Sequence, residues 1–533
     1  MPDHKLETPL PSRPIVLGFV WADCMDFRRM LGRMAMTAEQ RTRLWEAALI
    51  VAGGLAVASS ILMPQVALLA VITCATLWFL ILVAKALQGR FEGIVVCWVA
   101  AFPLSYYLAF PSEHVAFPSE HAIVDLDRVV VLAAFLGSIL SKPSAPFAVP
   151  KRMRRAGLLW TAFGVAACAS IAKSPSFLNG ARVAFDSVLL PLLLAWCVIA
   201  WFDVRRWLPA IHTAACISAI ISATLAAAQI ITGQSLLQAP GAAVYYYKGW
   251  IVRPSGPFVT NDALALIGGV SLFFLLFLRT TLGPRVSLAR RTLHWIGVLA
   301  ATGMALMPMF RSVALTLLLV LIIDTFWERG TTRRAWRGAL IGALVGLVLL
   351  ISIWAPELYR DRSSSENVDG RVAQLEQSYR VFVDHPLLGI GFLNFHNFVA
   401  GDPSYFASYR GVLAPDSPHN NLAQIVTETG ILGFVPYLMT QLLLLGAMWQ
   451  LRQFSSSGYL ASKYFVYFFL TYWITGFAES SGYDGQLNLW YIFATAVVYK
   501  YVLTAPDFIS PVEEQVPAGA WRAPAEAPMA FRQ

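Results

Sequence analysis

Asp416-Ser417-Pro418-His419-Asn420-Asn421 closes the longest polar interruption in an otherwise apolar chain, and a long apolar run follows it. The interruption covers residues 356–418, and its exit carries the chain to residue 434. Ser417 reads as a helix N-cap, Pro418 as the first helical residue and His419 as part of the first turn. That position sets an imidazole at the positive end of a helix dipole, where the neutral ring is favoured. A neutral imidazole at a membrane surface can accept a proton from a hydroxyl. Local capping or hydrogen bonding is the plainer role for a lone histidine.

The rest of the chain shows why such an interruption stands out. Of 533 residues, 57% are hydrophobic and 13% charged, with a mean hydropathy of +0.60. Soluble domains carry about a quarter charged residues, so this is an all-α polytopic membrane protein. A net charge of +9 would suit nucleic acid, but the basic residues cluster in alternate loops, which is the positive-inside pattern. Apolar runs predict about fourteen transmembrane helices (a range of 12–14). They lie near 46–63, 66–84, 93–110, 128–141, 157–172, 187–202, 208–231, 263–279, 293–310, 312–327, 338–355, 421–449, 464–478 and 489–504. Residues 1–45 form an Arg-rich tail without a signal-peptide core, and residues 505–533 form a second tail; both are expected in the cytoplasm. The membrane domain is therefore 46–504. The six cysteines lie in apolar runs or the N-terminal tail, so no disulfide is expected.

Alternation then exposes the loops at 111–127, 173–186, 233–262, 356–418 and 479–488 on the external face. The first contains a duplication, Phe110-Pro111-Ser112-Glu113-His114 followed by Phe117-Pro118-Ser119-Glu120-His121. Two Glu-His pairs could ligate a metal, but a locally duplicated surface loop is the simpler reading, and no metal site is assigned.

Within 356–418, residues 371–384 predict an amphipathic helix ended by Pro386. Val372, Leu375, Tyr379 and Phe382 share its apolar face. Arg380 has Glu376 and Asp384 four residues to either side, an ordinary structural pairing. Arg371 has no acid at helical spacing, which makes it a candidate for an anionic ligand. Arg253 follows an aromatic run, Tyr245-Tyr246-Tyr247-Lys248-Gly249-Trp250, suited to the interfacial zone; Lys248 could simply snorkel to lipid phosphate. Arg311 sits at an external helix junction, costly unless it meets water or an anion. Glu428 is nine residues beyond His419 and so on the opposite helix face. Gly430 and Gly433 read as points of close helix–helix contact.

His419-Asn420, nine residues and then Gly430-Ile431-Leu432-Gly433 resemble a signature of the O-antigen ligase and polysaccharide polymerase superfamily. Three further blocks occur in the family's order. They are Arg253-Pro254-Ser255-Gly256-Pro257-Phe258 through Thr260-Asn261-Asp262, Phe310-Arg311-Ser312, and Gly370-Arg371 followed by His385-Pro386-Leu387-Leu388-Gly389-Ile390-Gly391-Phe392-Leu393-Asn394-Phe395. Thr260 and Phe310 replace the family's usual Pro and Ser. The resemblance covers about 240–450.

It implies a fold like the GT-C type and an inner-membrane glycosyltransferase with a periplasmic site. The donor would be a polyprenyl-diphosphate-linked glycan, and the acceptor another lipid-linked glycan or the lipid A core. The implied reaction is inverting and needs no cofactor or metal. Arg253, Arg371 and His419 are the expected catalytic residues; Arg311, Asn420 and Lys248 are expected to bind substrate. A multispanning transporter or flippase of lipid-linked glycans is the alternative, but it should show repeat symmetry, and no clear internal repeat is present.

Overall fold

The computed structural model describes residues 64–108, 124–140, 150–174, 177–234, 245–247, 251–282, 287–327, 365–414, 418–453, 455–477 and 484–504, with residues 338 and 342. The chain divides into two compact units, 1–80 and 81–533. In the first, the described residues are 64–80, all helical. The second holds every other element discussed below.

In chain order the helices are α1 (Pro64–Leu87), α2 (Glu92–Ala101), α3 (Leu126–Leu140), α4 (Lys151–Ile171), α5 (Phe177–Ala184), α6 (Leu190–Ala200), α7 (Val204–Thr232), α8 (Asn261–Thr281), α9 (Leu288–Leu306) and α10 (Arg311–Trp327). They continue as α11 (Ser365–Asp384), α12 (Phe395–Gly401), α13 (Asn421–Leu451), α14 (Ser456–Gly476) and α15 (Gly485–Leu503). A five-residue π-helix, Phe185–Leu189, joins α5 to α6. Side-chain oxygens of Asp203, Thr260, Ser287, Ser455 and Asp484 cap α7, α8, α9, α14 and α15, each accepting a first-turn amide.

Four of the described helical stretches are long and apolar enough to cross a membrane: Phe177–Ala200, Val204–Thr232, Asn261–Thr281 and Asn421–Leu451. Each overlaps an expected span, though the first begins ten residues before the expected 187, within the expected external loop 173–186. The protein is mostly helical and of membrane type. The expected spans at 46–63 and 338–355 and both tails lie outside the described residues, apart from residues 338 and 342. The chain departs from the all-α expectation at two short antiparallel ribbons, which become β1 (Tyr245–Tyr247) with β2 (Ile251–Arg253) and β3 (Ser408–Tyr409) with β4 (Val412–Leu413). Arg410 and Gly411 both adopt positive φ, the turn that lets so short a ribbon close.

The interior is built around α15, buried along almost its whole length. Trp490 and Phe493 pack with Trp98, Phe102 and Phe274 at ring separations of 4.8–6.4 Å. A buried ionic joint ties α3 to the π-helix. Arg128 donates to both oxygens of Asp186, at 2.7 and 2.6 Å, and also meets Asp125 at 3.1 Å. A buried charge is tolerable in such surroundings when it is paired this completely.

Candidate active site

The site is organised by a break in α13. Gly430 has φ 60° and ψ −167°, a combination essentially restricted to glycine, and the helix changes course there. The break releases backbone groups that a straight helix would use. The carbonyls of Thr427 and Glu428 accept from the amides of Ile390 and Gly391, at 3.0 and 3.1 Å. The amides of Ile431 and Leu432 donate to the carbonyls of Pro386 and Leu387, at 2.8 and 3.2 Å. Segment 386–391 is thus stitched along the kink by four backbone hydrogen bonds.

Glu428 completes this joint. Its buried carboxylate accepts from Leu393 N at 2.8 Å and Phe395 N at 3.1 Å. Leu393 has φ +57°, a left-handed conformation unfavourable for leucine, and the carboxylate helps hold it there. Two motifs far apart in sequence are therefore two sides of one structure. Gly389 and Gly430 meet at the seam, where a methyl group on either would collide with backbone of the other strand. This corrects the reading of Gly430 as a helix–helix contact. Gly433 is corrected too, since a Cβ there would meet Thr429 of its own helix.

His419 and Asn420 immediately precede the same helix. Asn420 is the N-cap of α13, its Oδ1 accepting from Leu422 N and Ala423 N at 3.0 Å each. The cap is therefore not Ser417, which lies outside the described residues, and Pro418 is not the first helical residue. His419 stands one residue ahead of the cap rather than in the first turn, so the dipole argument loses its geometry. The Asn420 side chain also has a tertiary partner, donating Nδ2 to the carbonyl of Phe477 at 3.3 Å. That bond fastens the start of α13 to the end of α14.

Helix α11 approaches from the other side. Arg371 donates Nη1 to the carbonyl of His419 at 3.3 Å. The two residues line one small pocket, open to solvent, with Gln374, Ser378, Asn420 and Phe477. Ser378 Oγ is buried and has no hydrogen-bond partner among the described residues. Arg380 behaves as expected, pairing with Glu376 at 3.1 Å, while Asp384 accepts from the Tyr405 hydroxyl at 3.0 Å.

Helix α11 begins at Ser365, earlier than expected, and of its expected apolar face Val372, Leu375 and Tyr379 are exposed while Phe382 is half-buried. The buried side carries Gln374, Gln377 and Ser378 with Ala373 and Val381.

Two further candidates meet at the Pro308–Arg311 turn. Arg253, on β2, donates Nε to the carbonyl of Pro308 at 3.1 Å and lies 4.7 Å from the Phe310 ring centroid. Arg311 opens α10 just beyond that turn and is exposed, which agrees with the expected helix junction. Lys248 and both Glu-His pairs, Glu113-His114 and Glu120-His121, lie outside the described residues. Sequence reasoning missed Glu428 as an organising residue, because its partners are 33 and 35 positions upstream.

Residues 260–438 match the O-antigen ligase family. The O-antigen ligase match takes in Arg311, α11, the stitched segment, His419 and the kink, while Lys248 and Arg253 precede it. It supports the superfamily that the four motifs resemble and, in general terms, a ligase- or polymerase-type function on lipid-linked glycans in a membrane. No curated protein matches the chain.

Proposed function

We propose that the protein is a membrane glycosyltransferase that transfers or polymerises a polyprenyl-diphosphate-linked glycan on the periplasmic face of the inner membrane. It would serve as an O-antigen ligase or as a polymerase of O-antigen or exopolysaccharide. The observation that carries this reading is the meeting of Arg371 and His419, 48 positions apart, at one open pocket. The external placement rests on the alternation of basic loops.

In this reading the acceptor hydroxyl attacks the anomeric carbon as the bond from that carbon to the diphosphate oxygen breaks. The hydroxyl proton passes to the His419 ring, and the diphosphate leaves with the electron pair. In-line attack inverts the anomeric centre. Negative charge grows on the diphosphate, and fixed guanidinium groups stabilise it without proton transfer. Arg371 takes that role at the pocket. Arg253 and Arg311 supply the same chemistry from the Pro308–Arg311 turn, and Lys248 is assigned to substrate phosphate. Asn420 holds the backbone of His419 at the pocket and is adjacent to the bound glycan.

The test is turnover by purified protein in nanodiscs, supplied with lipid-linked glycan and EDTA. One polyprenyl diphosphate should be released for each glycan transferred. Failure to transfer to any lipid-linked or lipid A-core acceptor would overturn the reading. Loss of activity to EDTA with recovery on adding a divalent ion would replace the guanidinium scheme.

Within this scheme Arg371→Lys should lower turnover roughly 10–100-fold, the worth of one charge-assisted hydrogen bond. Lysine keeps the charge but not the planar fork that grips two phosphate oxygens. Arg380→Lys should change turnover less than about twofold, because a surface pair with Glu376 contributes little. The comparison is read as initial rates on the same donor. Equal losses would remove Arg371 from its assigned role.

A further inference from the structure

Helix α11 buries a mixed side and exposes an apolar one. Its buried side carries Gln374 and Gln377, which are 4% and 0% exposed, with Ser378, Ala373 and Val381. Both amide atoms of Gln377 and the Ser378 hydroxyl lack partners among the described residues. Its open side carries Val368, Leu375 and Tyr379, which are 62%, 51% and 64% exposed, with Val372 and Val383 beside them. At about 100° per residue these five fall within about a quarter-turn, opposite the buried glutamines. Glu376 and Arg380, paired at 3.1 Å, border the stripe on one side, and Arg371 borders it on the other.

The stripe does not end with the helix. Leu387 follows one turn beyond Val383 and is also exposed. Its carbonyl accepts the amide of Leu432 on α13, and the carbonyl of Pro386 accepts that of Ile431. Ile431 and Leu432 begin a second exposed apolar line that continues through Val435, Met439 and Leu442. That line belongs to Asn421–Leu451, one of the four stretches suited to crossing a membrane. Helix α11 therefore shares one apolar surface with the outer face of a membrane span. Exposed apolar surface of this extent, running into that of a membrane span, is what hydrocarbon, not water, selects.

We infer that α11 lies in the lipid–water interface, its Val368–Val383 stripe immersed in the acyl chains of the bilayer. Arg371, on the rim, then stands at the level of lipid phosphates. This inference goes beyond the proposed reaction and does not require it.

The test uses single spin labels at positions 372, 375, 376, 379 and 380 of the full chain in nanodiscs of phosphatidylethanolamine and phosphatidylglycerol. A label at Met439 provides the reference for a lipid-facing site. Collision with oxygen should exceed collision with a water-soluble nickel chelate at 372, 375 and 379, as at 439. The order should invert at 376 and 380. Nickel access at 375 and 379 equal to that at 380 would overturn the inference. So would lipid-like behaviour that appears only after polyprenyl diphosphate is added, because the occupant would then be a substrate chain. The readout needs no turnover, so its failure is separable from failure of the glycosyltransferase reading.

Discussion

Replacing His419 with alanine is expected to lower glycan transfer by ~10²–10⁴-fold, the usual worth of general-base assistance. The folded protein should survive the change. Arg371 is bonded to the carbonyl of His419, and alanine keeps that carbonyl. The helix start is secured by Asn420, whose amide bonds two amides of α13 and the carbonyl of Phe477. The imidazole itself is half-buried at the pocket wall, so its loss should cost little stability. On the proposed reading, activity and fold are thus carried by different atoms of one short segment. The measurement is single-turnover transfer from a purified lipid-linked donor, alongside the amount of monodisperse protein recovered. Near-normal turnover would remove the ring from the mechanism. Loss of monodisperse protein would show that the ring is structural.

The segment also shows what a sequence can and cannot disclose. The existence of a helix after residue 420, of a helix ending near Asp384 and of a helix beginning at Arg311 followed from apolar periodicity, proline and charge spacing. The cap did not follow, because Ser417 and Asn420 are both good cap residues. The apolar face of α11 was legible, but the side it turns was not. In a soluble protein an apolar stripe goes inward, whereas beside a bilayer it turns outward as readily. Glu428 was seen to point away from His419, and it does serve another purpose. Its role could not be read locally, since it satisfies amides of Leu393 and Phe395 brought to it by the chain's return. The β1–β2 ribbon carries a signal in Tyr245-Tyr246-Tyr247 and Ile251-Val252-Arg253, aromatic and β-branched residues around a glycine, that the interfacial-belt explanation absorbed.

Gly430→Ala is expected to destabilise the domain by roughly 3–5 kcal/mol, from backbone strain and a clash together. The strain arises because φ 60° with ψ −167° is closed to residues that carry a Cβ. The clash arises because that Cβ would strike the carbonyl of Leu387, which is backbone and already bonded to Leu432 N. Neither cost can be relieved by rotating a side chain. Relief by straightening α13 would break the four backbone bonds of the seam and leave the Glu428 carboxylate without its amides. Arg371 and His419 would then lose their common pocket, so activity should fall with folded yield. Gly433→Ala provides the contrast. There the added methyl meets the side chain of Thr429, its Cβ included, and the Thr429→Gly change removes the obstacle. Thermal unfolding in detergent, read against Thr429→Gly alone, should show the cost of Gly433→Ala largely removed in that background and the cost of Gly430→Ala unchanged. If both glycine variants respond alike to the second change, Gly430 is an ordinary helical glycine, and the seam is not what holds the site together.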